Sequence, residues 1–195
     1  MKLSKRGEYA LRSLINLGFA AEAKRDLVQA SELAESEQLP VKFLEQILQE
    51  LKEGGFIKSA RGKFGGYRLA KPPRQITIGE VVRLIDGPLA PISCVSQSAY
   101  EKCTCPDEAH CGLRMLMLDV RNAISGILDR YTLADVVEVT IRRMKRHGVP
   151  LPFAEDSAPV RVPARLARRL ARRAIAPRIS PSEGVLHDLL GEYTI

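Results

Sequence analysis

The chain has 195 residues, with 30 Lys and Arg against 23 Asp and Glu for a net charge of +7, no Trp and 5% aromatic residues. A hydrophobic fraction of 45% beside 27% charged residues excludes collagen-like and wholly disordered chains, and the length suits one domain with appendages. No window approaches the roughly 18 consecutive apolar residues of a spanning helix, and Met1-Lys2-Leu3-Ser4-Lys5-Arg6 leads into an amphipathic pattern instead of a signal-peptide block, so a cytoplasmic protein without a membrane partner is expected.

Residues 7–23 place Leu11, Leu14, Ile15, Gly18 and Phe19 along one helical face. A second short helical pattern, 28–34, gives way to the polar break Glu35-Ser36-Glu37-Gln38. Pro40 then opens a third, with Phe43, Leu44, Ile47, Leu48 and Leu51, which Gly54-Gly55 stops. Two helices across a tight polar turn predict a helix-turn-helix. Segments 56–60 and 67–70 read as strands around Arg61-Gly62-Lys63-Phe64-Gly65-Gly66, a basic β-hairpin or wing whose Arg61 and Lys63 suit a DNA minor groove. Thr77-Ile78-Gly79-Glu80 has capping-box spacing before a fourth helix that ends near Asp86-Gly87-Pro88.

Residues 89–111 lack helical period and hold all four cysteines, which predicts an irregular loop ordered by a bound metal centre. Beyond it, Leu113, Leu116, Met117, Val120, Ala123, Ile124, Ile127 and Leu128 repeat at steps of three and four. This stripe predicts a long helix that pairs with a second copy, with packing on its own domain as the alternative. Thr132-Leu133-Ala134-Asp135 then caps a short helix to about Arg143. From about 148 the composition changes, with six of the twelve prolines and seven arginines against five acids. The expected architecture is mainly α: a winged helix-turn-helix in 1–88, a cysteine loop in 89–111, a dimerisation helix and short helix in 112–147, and a basic, Pro-rich, partly disordered tail in 148–195. A basic helix over 161–173, for accessory contact with DNA or an anionic membrane, is the alternative for that tail.

The recognition helix begins near Pro40, and its exposed candidates are Val41, Lys42, Glu45, Gln46 and Gln49. Gln can pair bidentately with adenine, and Glu can accept from cytosine. Lys2, Lys5, Arg6 and Arg12 are candidate phosphate contacts, with an ordinary solvated face as the plain alternative for each. A helix-turn-helix joined to a basic glycine hairpin makes double-stranded DNA the expected partner.

The cysteines run Cys94-x8-Cys103-x-Cys105-x5-Cys111, without the paired C-x2-C knuckles of most structural zinc sites. In a reducing compartment, clustered thiolates suit an iron–sulfur cluster first, zinc second, and free or disulfide-forming thiols third.

The start MKLSKRGEYALRSL, the segment LPVKFLEQILQELKEGGFIKSARGKFGGYRLAKPPRQITIGEVVRLIDGP and the cysteine loop together resemble the Rrf family of winged-helix regulators over about residues 1–143. The resemblance implies dimeric, sequence-specific binding to a pseudo-palindromic operator, usually as a repressor. In many members, the IscR-, NsrR- and RirA-like ones, it implies gating by a two-iron or four-iron cluster that senses iron, nitric oxide or redox state. It places the three usual cysteine ligands on Cys94, Cys105 and Cys111, with Cys103 as an extra thiol or an alternative middle ligand. IscR-like members supply a histidine where this chain has Arg114. NsrR-like members use a carboxylate of the other subunit's first helix, which matches Glu8; Cys103 and His110 are the other candidates for a fourth ligand. A CymR-like regulator, controlled by a protein partner or thiol oxidation, is the alternative within the family. A redox enzyme is disfavoured, because no nucleotide-phosphate loop, flavin fingerprint or triad spacing accompanies the cysteines. A cluster carrier would leave the wing and recognition helix idle.

Overall fold

In the computed structural model, which describes residues 2–62 and 64–154, each helix starts where a local side chain satisfies its unpaired amides. α1 (Lys5–Glu22) begins at Ser4, whose hydroxyl accepts from the Gly7 amide at 3.0 Å. α2 (Ala30–Glu37) opens on a reciprocal cap between Gln29 and Glu32 and ends at Gln38, which turns left-handed at φ 55°. That turn delivers Pro40 in extended backbone immediately before α3 (Val41–Glu53), where its carbonyl accepts from the Phe43 and Leu44 amides. Pro40 therefore stands one residue outside the helix and not within its first turn. α3 buries Leu44, Ile47, Leu48 and Leu51, the spacing of one helical face.

β1 (Ile57–Ala60) and β2 (Gly66–Leu69) pair antiparallel in a register running from Ile57↔Leu69 to Ala60↔Gly66. The hairpin is fastened at its base, because Val28 and Tyr67 exchange both backbone hydrogen bonds, at 3.0 and 2.8 Å. A side chain at Gly66 would place its Cβ 2.5 Å from the Val28 carbonyl oxygen, so glycine permits this docking.

α4 (Ile78–Asp86) and α6 (Leu133–Arg146) both start at the expected capping boxes, Thr77 with Glu80 and Thr132 with Asp135. α5 (Gly112–Arg130) lies between them. The Ile78 amide donates to the Tyr131 carbonyl and the Leu133 amide to the Ile76 carbonyl, which ties both helix starts together. α6 runs three residues past its expected end, and its Leu133 and Val137 join the core formed by Leu14, Leu17, Leu44, Leu48 and Val81. The cysteine-bearing loop is also less irregular than expected: a 3-10 turn at Ser93–Val95 packs on α5 and buries Cys94, Val95 and Ser96. Apolar burial contributes to its order at this end.

After α6 the chain lays Leu151 and Phe153 against the core, with the Arg25 guanidinium 5.9 Å from the Phe153 ring centre. The basic stretch 161–173 and the rest of the tail past 154 lie outside the described residues. Among those described, no helix is long and apolar enough to cross a membrane.

Candidate nucleic-acid interface and metal centre

The face of α3 opposite its buried leucines carries Val41, Lys42, Glu45, Gln46 and Gln49, all exposed, with Pro40 exposed at its start. Arg6, Lys42, Glu45, Gln46, Gln49 and Glu50 line a shallow open depression beside this helix. Gln49 donates to Glu53 at 2.6 Å, whereas Gln46 projects from the middle of the face. The wing extends from the end of α3, with Arg61 exposed at its tip; Lys63 lies outside the described residues. The basic residues of α1 are engaged within the chain. Lys5 pairs with Glu8 at 2.7 Å, Arg6 pairs with Glu50 of α3, and Arg12 contacts Glu8 at 3.6 Å and Glu37 of α2 at 2.5 Å. Lys2 is exposed.

Sequence reasoning did not find the partners of these charges. Ser4 donates from its amide to Asp86 at 2.9 Å and from its hydroxyl to the same carboxylate, fastening the start of α1 to the end of α4. Glu37 accepts from Asn16 at 2.6 Å, and burial pushes its carboxyl above the usual value although the Arg12 charge pulls it down. Arg83 of α4 and Asp129 of α5 form two parallel hydrogen bonds, at 2.7 and 2.6 Å. Nothing in local periodicity marks such pairs, because their members stand 82, 21 and 46 residues apart.

The four thiols lie near enough to perturb one another: Cys103 interacts with both Cys94 and Cys105, and Cys105 also with Cys111. The interaction with Cys105 holds the Cys103 thiol below its ordinary value, and the same interaction, with that to Cys111, pushes Cys105 up to about 12. Burial raises Cys94. Cys111 caps α5, its sulfur accepting from the Arg114 amide at 3.4 Å, so one thiol sits at the positive end of that helix. Arg114 reaches Glu108 at 3.2 Å, and Glu108 also accepts from the Tyr100 hydroxyl at 2.8 Å. His110 turns to Asp107 at 2.7 Å.

Among the described residues no three His, Cys, Asp or Glu side chains converge on a point suited to a single metal ion. A cluster of several irons needs no common point, because each iron takes its own thiolates. Four neighbouring soft sulfur donors, one of them buried, fit such a group in donor chemistry. Glu8 stands apart on α1, where its partners are Lys5 and Arg12.

The stripe on α5 divides into two faces. Met117, Ile124 and Leu128 are half-buried towards the domain, where α5 meets α4 and the 93–95 turn. Leu113, Leu116 and Ile127 are 58%, 56% and 48% exposed, with half-buried Val120 between them and exposed Ala123 alongside. Both readings of the helix thus have a physical counterpart: one arc packs on its own domain, and another is uncovered in the single chain.

Residues 3–139 match the family model Rrf2, described as an iron-dependent transcriptional regulator. An rrf2-like HTH-type transcriptional regulator of Rhodobacter capsulatus is 42% identical over 139 residues, 69% of this chain and 91% of the relative. Among solved structures, CymR, the global cysteine regulator of B. subtilis, is similar with a TM-score of 0.58 and 29% identity, covering 71% of this chain and 98% of that one. IscR of T. potens is similar at 0.56 and 28%, over 72% and 88%. The exposed recognition helix, the fastened wing and these likenesses agree, and the chain belongs to the Rrf2 family: it is a winged-helix transcriptional regulator, not an enzyme.

Proposed function

We propose that two copies of the chain bind a pseudo-palindromic double-stranded DNA operator in the cytoplasm and repress transcription, with affinity governed by an iron–sulfur cluster in the cysteine loop. The observation that carries this reading is the grouping of four mutually perturbing thiols in the loop that ends at the Cys111 cap of α5. Cys94, Cys105 and Cys111 are the proposed ligands. Cys103 is the favoured fourth, since it interacts with two of the three, whereas Glu8 is held by Lys5 and Arg12. When bound, a cluster supplies iron–sulfur bonds that are labile to iron supply and oxidants, joining the thiolates into one body.

The chain's own residues link this loop to the DNA-binding face. Cys111 starts α5, and Asp129 in its last turn grips Arg83 of α4. Asp86 at the end of α4 holds Ser4, and Arg6, two residues on, pairs with Glu50 of α3. A displacement of α5 is thus passed through α4 and α1 to the recognition helix. Leu113, Leu116, Val120 and Ile127, with Met117 and Ile124 at the border, are the proposed contact with the second copy, which sets the spacing of two recognition helices. Pro40, Val41, Lys42, Glu45 and Gln46 face the major groove; Arg61 and Lys63 meet the minor groove; Lys5 and Arg6 flank the backbone.

The deciding experiment is anaerobic purification with a visible spectrum, iron and acid-labile sulfide per chain, and operator titration with and without cluster. The reading expects a coloured protein whose operator affinity changes by about ten- to hundredfold on cluster loss, about 1.4–3 kcal/mol of coupling. Cys103→Ala should lower cluster content as Cys105→Ala does; full content in Cys103→Ala would return the fourth place to Glu8. A second reading is favoured by the interaction of neighbouring Cys103 and Cys105, which suits a thiol-controlled regulator. It predicts a protein colourless even after reconstitution, yet with oxidation-sensitive operator binding.

A further inference from the structure

The most exposed large apolar side chain among the described residues is Phe64, 83% exposed, at the tip of the wing. Single exposed hydrophobic residues are ordinary on protein surfaces; the placement of this one is what carries meaning. The turn Arg61-Gly62-Lys63-Phe64-Gly65 is shaped by its glycines. Gly62 adopts φ 110°, which side chains resist, and its carbonyl accepts from the Gly65 amide at 2.9 Å. A Cβ at Gly65 would lie 2.3 Å from the Ala60 carbonyl oxygen. Both glycine positions are therefore closed to larger residues, and the described part of the tip presents Arg61 and Phe64. The hairpin behind it is anchored by buried Phe56 and Ile57 and by the Val28–Tyr67 pairing. A held base, the exposed cationic Arg61 and one exposed ring form a tip suited to an anionic groove with apolar walls.

We infer that Phe64 is a minor-groove wedge, pressing its ring against the sugar edges or into a base step while Arg61 and Lys63 neutralise phosphate. The inference rests on the DNA-binding reading above and extends it, making the wing a reader of DNA deformability. Pyrimidine–purine steps unstack most readily, so the wedge favours them where the wing lands. The α3 face reads base edges in the major groove, and Phe64 adds selectivity at flanking positions through deformation of the duplex.

The test begins with duplexes selected from a random pool by the wild-type full chain. Wild type, Phe64→Ala, Phe64→Leu and Arg61→Ala are then compared for affinity, salt dependence, DNA bending by end-to-end energy transfer, and preference among steps at the wing-facing positions. Phe64→Ala should bind about tenfold more weakly, lose the step preference, reduce the bend, and keep both its melting temperature and its salt slope. Phe64→Leu should retain most of the preference, whereas Arg61→Ala should lower the salt slope by about one. Unchanged affinity and step preference in Phe64→Ala overturn the wedge while leaving operator binding intact. A fall in melting temperature matching the affinity loss, or unchanged DNA binding with repression lost in transcription, also overturns it, in favour of a structural or protein-docking role. Failure of the wild type to select any duplex overturns the DNA-binding reading itself, and the wedge with it.

Discussion

Replacing Asp129 by Asn tests whether the cysteine loop speaks to the recognition helix through α4. The carboxylate meets Arg83 through two hydrogen bonds at 2.7 and 2.6 Å, with the two side chains 34% and 43% exposed. Solvent screens a pair this open, and its fork geometry puts it near the upper end of the range for surface pairs, about 0.5–1 kcal/mol. Asn keeps the shape and one acceptor but loses the charge, so the variant should melt about 2–4 °C lower at the upper limit. The same pair joins the last turn of α5 to α4, whose far end holds Ser4. Weakening it by about 1 kcal/mol should shrink the ratio of operator dissociation constants, cluster-loaded against cluster-free, by up to about fivefold. The assay is anaerobic fluorescence titration of both forms of each protein. A melting temperature lowered as expected beside an unchanged ratio would refute the route through α4.

Leu116→Glu places a charge on the uncovered arc of α5, so light scattering should report monomer and operator affinity should fall by more than tenfold, while the far-ultraviolet spectrum stays native. Glu37 gives a pH signature: burial holds its folded-state carboxyl above the ordinary 4.5, despite Arg12 and the Asn16 hydrogen bond, with Glu8 adding repulsion. The folded chain keeps that proton to higher pH than the unfolded chain, so Glu37's contribution is full below pH 4.5 and lost as pH rises through the folded value. Glu37→Gln should flatten this segment in urea melts; an identical pH profile would contradict the assignment. Ending the chain at 147 strips Leu151 and Phe153 from the core and should cost about 1–3 kcal/mol, read by the same melts.

The features legible in the sequence are those written by local rules. Thr77 with Glu80 and Thr132 with Asp135 announce helix starts because the cap is made within four residues. The exposed α3 face followed from the period of Leu44, Ile47, Leu48 and Leu51. Long-range polar partners obey no such rule: Arg6 reads as a phosphate contact in sequence, and only the fold brings Glu50 to it. The α5 stripe read as one seam because its apolar residues span a wide arc, and periodicity alone cannot divide that arc between two neighbours. Phe64 was passed over for a different reason, since the wing was recognised by its glycines and charges.

These polar pairs also bound how strongly the regulator can respond. The core around Leu14, Leu44, Leu48 and Val81 is fully buried, and packed interiors switch between discrete arrangements instead of deforming smoothly. A shift of α3 against α4 is then felt where elements meet at exposed rims, at Ser4–Asp86, Arg6–Glu50 and Arg83–Asp129. Each such contact is worth about 0.5–1 kcal/mol. Three of them together supply about 1.5–3 kcal/mol, roughly ten- to hundredfold in operator affinity. A response far above that range would require further contacts, those of the second copy first among them, which makes coupling measured in the Leu116→Glu monomer the sharpest check: there the response should fall to the range these three pairs supply.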